Sequence, residues 1–187
     1  MNENNIITPY ESFPKVSKDF IDEVFARTNL CLEAINLISS YQKRFPKNKV
    51  ELNEFKIIKY ISRYFIIVEF CSLFDGGSNL SINLQKQKNN FNIKVQKLKL
   101  KKLFPSLTTK QFNILHKRLE SLVKQHKDLL FKLMWTRHNK VAHANVSFYE
   151  DSDEEMKYDK KIILNLKTFI EEFQFFFSEI GFNDNFL

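Results

Sequence analysis

Residues 108–142 read TTKQFNILHKRLESLVKQHKDLLFKLMWTRHNKVA. The opening Thr108-Thr109-Lys110-Gln111 has the spacing of a capping box: the N-cap hydroxyl takes the N–H three residues on, and the Gln side chain reaches back to the N-cap N–H. Phe112, Leu115, Leu119, Leu122, Val123, Leu130, Leu133 and Met134 follow at helical intervals and make one apolar stripe. The stretch predicts one long amphipathic helix from Thr108 to about Ala142, which must lay its stripe against other helices to bury it.

Working outward, the rest of the chain supplies those helices. An acidic connection, Glu150-Asp151-Ser152-Asp153-Glu154-Glu155, leads to a final helix expected from about Asp159 to Ile180, closing on Gly181. Its Phe169, Phe173, Phe176 and Phe177 are expected to be core or interface anchors. Upstream, Ser78 to Pro105 is less regular, with a short helix expected after Ser81 and no convincing strand alternation. A helix from about Glu51 to Phe74 ends at Asp75-Gly76-Gly77. It is apolar nearly all round, so it should be central, or buried by a second subunit as well as its own. A first helix runs from about Ser17 to Phe45 and stops at Pro46. The expected fold class is all-α, an up-and-down bundle of four main helices with a short extra helix. Residues 1–15 form an N-terminal arm, 16–182 a single helical domain and 183–187 a C-terminal tail.

Composition narrows the function classes. The chain has 187 residues, 43% of them hydrophobic, which is one domain with enough apolar material for a core. Only 3 glycines and 4 prolines argue against many-turned β folds and against Gly-rich phosphate loops. No secretory signal and no membrane span is predicted, and Cys31 and Cys71 sit inside apolar helical patterns, as reduced core residues of a cytoplasmic protein would. The formal net charge of +7 is segregated: residues 76–140 hold 15 basic against 2 acidic residues, and residues 141–187 hold 4 against 10. Lys94, Lys97, Lys99, Lys101 and Lys102 are the densest basic stretch. It reads either as a solvated face or as a surface that tracks RNA phosphates.

The chemistry concentrates at the end of the quoted stretch. His126, Trp135, His138 and His143 bring three of the four histidines and the single tryptophan together. On an ideal helix Arg137 lies about 20° from Leu130 and about 40° from Leu133, so a cation points along the apolar stripe, where it needs a partner. Glu69, in the otherwise apolar second helix, is one candidate partner; it could equally pair with Arg63 or a nearby lysine. His126 falls on the same stripe and is expected to be a hydrogen-bonded core or interface residue, and Trp135 a core residue. An arginine fork can hold a phosphodiester and stabilise a pentacoordinate transition state, and a histidine titrating near neutrality can move protons at a ribose 2′-OH and a leaving 5′-oxygen. This needs no metal, and no carboxylate cluster for one is apparent. The residues alone leave a second reading open, a buried Arg–carboxylate pair with an incidental histidine.

Arg137-His138-Asn139-Lys140-Val141-Ala142-His143 resembles the signature of the HEPN superfamily: Arg, a polar residue, then His after a few more. Ser62-Arg63, Glu69, Leu73-Phe74-Asp75, Ser81 and the Ala142-His143 pair are similar to the AbiU-type abortive-infection branch. The resemblance implies a HEPN-like bundle and a homodimer with a composite cleft. It further implies a metal-independent endoribonuclease that leaves a cyclic phosphate, serving phage defence or a toxin–antitoxin pair. By position Arg137 would bind phosphate and His143 would be the acid/base. His138 holds the polar second place, with Asn139, Lys140 and Glu69 in support. No cofactor is implied. The partners implied are RNA, a second copy and a cognate antitoxin, with no membrane. The rival readings are a non-catalytic helical module that binds RNA or protein, and a HEPN toxin neutralised by a nucleotidyltransferase antitoxin.

Overall fold

A computed structural model of the chain describes residues 10–42, 48–74, 82–87, 90–137 and 153–180. After a 3₁₀ turn at Tyr10–Ser12, α1 spans Lys15–Gln42 and α2 spans Lys49–Ser72. Strands β1 (Ile82–Gln87) and β2 (Asn90–Val95) precede the short α3 (Lys97–Leu103). Then come α4 (Thr109–Gln125), α5 (Lys127–Thr136) and α6 (Asp153–Glu179). The fold is an all-α up-and-down bundle, α3 being its short extra helix.

Side-chain pairs set the helix directions. Arg27 meets Glu69 and Tyr41 stacks on Phe55, so α1 and α2 are antiparallel. Arg118 pairs with Glu179 and His126 with Glu172, so the α4–α5 rod runs antiparallel to α6. The core between them is built on phenylalanine. Phe173, fully buried, lies 5.5 Å from Phe74, 5.6 Å from Phe169 and 4.9 Å from Phe177. Phe20 links Phe177 to Phe104, which meets Phe13 in turn. Phe169, Phe173, Phe176 and Phe177 are all core residues, as expected.

Three expectations need correcting. Residues after Ser81 form an antiparallel hairpin, not a short helix: Ile82 pairs with Val95, Leu84 with Ile93 and Gln87 with Asn90. Apolar and polar residues do alternate in Ile82-Asn83-Leu84-Gln85 and in Phe91-Asn92-Ile93-Lys94-Val95. The asparagines, glutamines and lysines between them are poor strand formers and disguise the pattern. Second, the long third helix is broken at His126, whose φ of −105° and ψ of 19° end α4 before α5 begins. Third, Asp153, Glu154 and Glu155 belong to α6 and not to a loop.

Part of the expected N-terminal arm packs onto the bundle. Phe13 enters the core, and the Tyr10 hydroxyl donates to Asp22 at 2.8 Å. Desolvation and that hydrogen bond push the Tyr10 pKa up to about 12 from 10.0; desolvation, followed by the charge of Glu69, pushes the buried Cys31 thiol up to about 12 from 9.0. Both groups hold their protons longer folded than unfolded, so their contribution is full below pH 9.0 and is lost between there and about 12. The urea midpoint should therefore fall across that window, and Tyr10→Phe should flatten the fall. Cys31 and Cys71, both buried, should react with a thiol reagent only on unfolding.

Candidate functional site

Arg137 stands at the C-terminal end of α5. The capping box that starts α4 is present: Gln111 N–H donates to the Thr108 hydroxyl oxygen and Thr108 N–H donates to the Gln111 side chain. The rod then kinks at His126, which lies 2.7 Å from Glu172 through Nε2 and packs its ring 4.8 Å from that of Phe169. His126 is thus a hydrogen-bonded histidine at the edge of the core. Beyond it, Leu129, Leu130 and Leu133 bury one face of α5. Arg137 keeps helical dihedrals, φ −57° and ψ −50°, and its N–H bonds to the carbonyls of Leu133 and Met134. Its side chain is half-buried, in keeping with a position flanking the stripe.

The height of Arg137 in the bundle follows from the antiparallel pairings. His126 lies level with Phe169 and Glu172, and Asp128, Leu129 and Lys132 line a shallow groove of about 220 Å³ with Lys161, Ile162 and Asn165. Continuing α5 by five residues brings Arg137 about 17 Å from His126 along the axis. On α2, Phe70 packs on Phe169, and eleven residues back, again about 17 Å, is Lys59. Lys59 is 5% exposed, a buried cation at the height of Arg137, with Arg63 one turn further along α2. Lys132 and Lys161 add charge along the α5–α6 groove; desolvation and the charge of Lys161 lower the Lys132 pKa. Reasoning from sequence did not assign Lys59, Arg63, Lys132 or Lys161 to the site. The signal was present for the first two, since Lys59 and Arg63 interrupt an apolar run.

The other candidates are placed differently. Glu69 does not orient Arg137. Its Oε2 accepts from Arg27 Nη1 at 2.6 Å, the same nitrogen donates to Ser72 at 3.0 Å, and Arg27 Nε donates to Glu23 at 2.9 Å. Burial opposes the charge of Arg27, and Glu23 and Glu69 outweigh it and raise its pKa. Ten residues of α2 separate Glu69 from Lys59, about 15 Å along the axis. The basic stretch is also divided. Lys97, Lys101 and Lys102 are exposed and Lys99 half-buried on α3, which is anchored by Leu100 and Leu103 near Phe104 and Phe20. That is the Phe177 end of the bundle, roughly 30 Å along α6 from the height of Arg137. Lys94 lies on β2, which packs along α4 and reaches α5. Trp135 is half-exposed and not in the core. His138, Asn139, Lys140 and His143 lie outside the described residues.

Among the described residues, no group of three His, Cys, Asp or Glu side chains comes together to hold a metal ion, and no helix is long and apolar enough to cross a membrane. No family model, no curated protein and no solved structure matches the chain. The functional reading therefore rests on the residues themselves.

Proposed function

We propose that this chain is a metal-independent endoribonuclease of HEPN type, cytoplasmic, acting as a homodimer through Arg137 and His143. Its role would be that of a toxin or abortive-infection effector restrained by a cognate antitoxin. The observation that carries the reading is the cationic end of the bundle: Arg137 closes α5 at the height of buried Lys59, and Lys132 and Lys161 line the groove between α5 and α6 between one and two turns away. An arginine fork among neighbouring cations is suited to hold a phosphodiester.

In this reading Arg137 holds the scissile phosphate through its fork and stabilises the charge that builds on the equatorial oxygens. His143 takes the proton of the ribose 2′-OH as that oxygen attacks phosphorus. The bond to the 5′-oxygen breaks, and the departing alkoxide is protonated, leaving a 2′,3′-cyclic phosphate and a 5′-OH. His138 follows Arg137 directly, and Asn139 and Lys140 lie between the two principal residues. Glu69 is not among the supporting groups, because Arg27 holds it. The exposed Trp135, two residues before Arg137, offers a face on which a base can stack. In this reading Lys97, Lys101 and Lys102 on α3, and Lys94 on β2, follow the RNA backbone away from the reacting phosphate. Cleavage of RNA in EDTA by the native chain, lost in His143→Ala, tests the reading.

One observation favours a second reading, a non-catalytic module that binds a protein partner: α2 exposes an apolar strip of Val50, Ile57, Ile61 and Tyr64. It predicts an unchanged fold and no RNase activity to lose.

A further inference from the structure

The groove between α5 and α6 brings two cations together with a carboxamide. Lys132 lines it from α5, and Lys161 and Asn165 from α6, beside buried Leu129 and half-buried Ile162. Heights follow from His126, which is level with Phe169 and Glu172. Lys132 is six residues further on, about 9 Å along the axis. On antiparallel α6, Asn165 lies four to seven residues from the same level, about 6–10 Å, so it faces Lys132. Trp135 and Lys161 follow together at about 14 Å. Asp128, Lys132 and Trp135 are spaced four and three along α5 and fall within about 60° of one another. Trp135 therefore continues the row that lines the groove, and it is 50% exposed. An indole face stands at the rim, level with one lysine and one turn above the other.

Lys132 is half-buried with a second cation beside it, and its pKa is lowered by desolvation and then by the charge of Lys161. An anion between the two ammonium groups removes that repulsion and gives both a charge-assisted partner. Asp128 stands about 6 Å lower than Lys132, in the first turn of α5, where the helix dipole favours its charge.

We propose that this groove is a binding site for a nucleoside phosphate, with the phosphate between Lys132 and Lys161, the Asn165 carboxamide donating to it, and the base stacked on Trp135. Size argues for that division. The groove holds about 220 Å³, less than the roughly 300–1,000 Å³ of a pocket that encloses a whole small molecule. It takes the phosphate and part of the sugar and leaves the base at the rim. Trp135 is what favours a nucleotide over inorganic phosphate, because every base has a π-face to stack. A mononucleotide and a nucleotide within a single strand present the same groups. In a strand the site holds a neighbour of the phosphate on Arg137, five residues along α5 from Lys132, and that role rests on the nuclease reading; binding of the mononucleotide does not.

Trp135 is the only tryptophan of the chain, so its fluorescence reports on this site. The test titrates the native chain with AMP and with adenosine, and the His143→Ala chain with a short single-stranded RNA. AMP is expected to quench saturably, with adenosine binding at least about tenfold more weakly. Lys132→Gln/Lys161→Gln removes no core side chain, and it should weaken AMP by at least about tenfold with an unchanged far-ultraviolet spectrum. A quench that needs both lysines supports the site: seen with AMP it assigns a free nucleotide, and seen with the RNA alone it assigns a nucleotide within a strand. No quench by either ligand, a quench indifferent to the double substitution, or adenosine binding as well as AMP would overturn the proposal. Cleavage is scored separately: AMP binding by a chain that cuts no RNA keeps this site and loses the nuclease reading.

Discussion

His143→Ala and Arg137→Ala are each expected to lower RNA cleavage by about 10² to 10⁴-fold while leaving the fold intact. The magnitude for His143 is that of one general acid–base group. For Arg137 it is the loss of a charged donor aimed at developing negative charge, which costs about 10² to 10³ where such groups have been removed. Arg137→Lys separates two roles of the side chain. A lysine keeps the charge and loses the planar fork, so binding should persist while turnover stays well below native. Arg137 ends α5 and is only half-buried, so its replacement removes no core side chain. Equal loss of helicity and activity would instead mark the arginine as structural.

Phe173→Ala should produce the largest loss of stability. The ring is fully buried and sits against Phe74, Phe169 and Phe177 at 4.9–5.6 Å. Truncation removes the buried area and leaves a cavity bounded by Phe74, just past α2, and by rings of α6, which cannot close without shifting whole helices. The expected cost is about 3–5 kcal/mol, a large share of the roughly 5–15 kcal/mol that holds a domain folded. For a chain of this length that is a fall in Tm of roughly 10 °C. Phe175→Ala, two residues away on the exposed side of α6, is the control and should change stability by less than about 0.5 kcal/mol. A small effect of Phe173→Ala on calorimetric Tm would mean that α6 does not pack as described.

Much of this fold was legible because helical periodicity is strong where a stripe is long. Thr108 and Gln111 announced a helix start that the side chains confirm, and Phe169, Phe173 and Phe177 announced the buried face of α6. The hairpin was missed because Asn, Gln and Lys fill the alternate positions of both strands and dilute the period of two. The break at His126 was missed because the apolar stripe continues across it; only a backbone turn and the Glu172 contact mark it. The partner of Glu69 lay 42 residues away on α1, a pairing that no local spacing encodes. Charge clustering along the chain likewise did not foretell placement. Lys97 to Lys102 follow one another in sequence, yet fold to the end of the bundle away from Arg137, whereas Lys59, far from Arg137 in sequence, shares its height.

The chemistry of the cut ends tests the central claim most directly. Incubating the native chain in EDTA with an RNA, and with the same RNA carrying a single 2′-deoxynucleotide 5′ to the scissile bond, makes the attacking hydroxyl the only variable. Attack by the 2′-oxygen with proton transfer by His143 predicts fragments ending in a 2′,3′-cyclic phosphate and a 5′-OH, with that bond of the deoxy-substituted RNA left uncut. Fragments ending in a 3′-OH, or equal cleavage of both substrates, would contradict it.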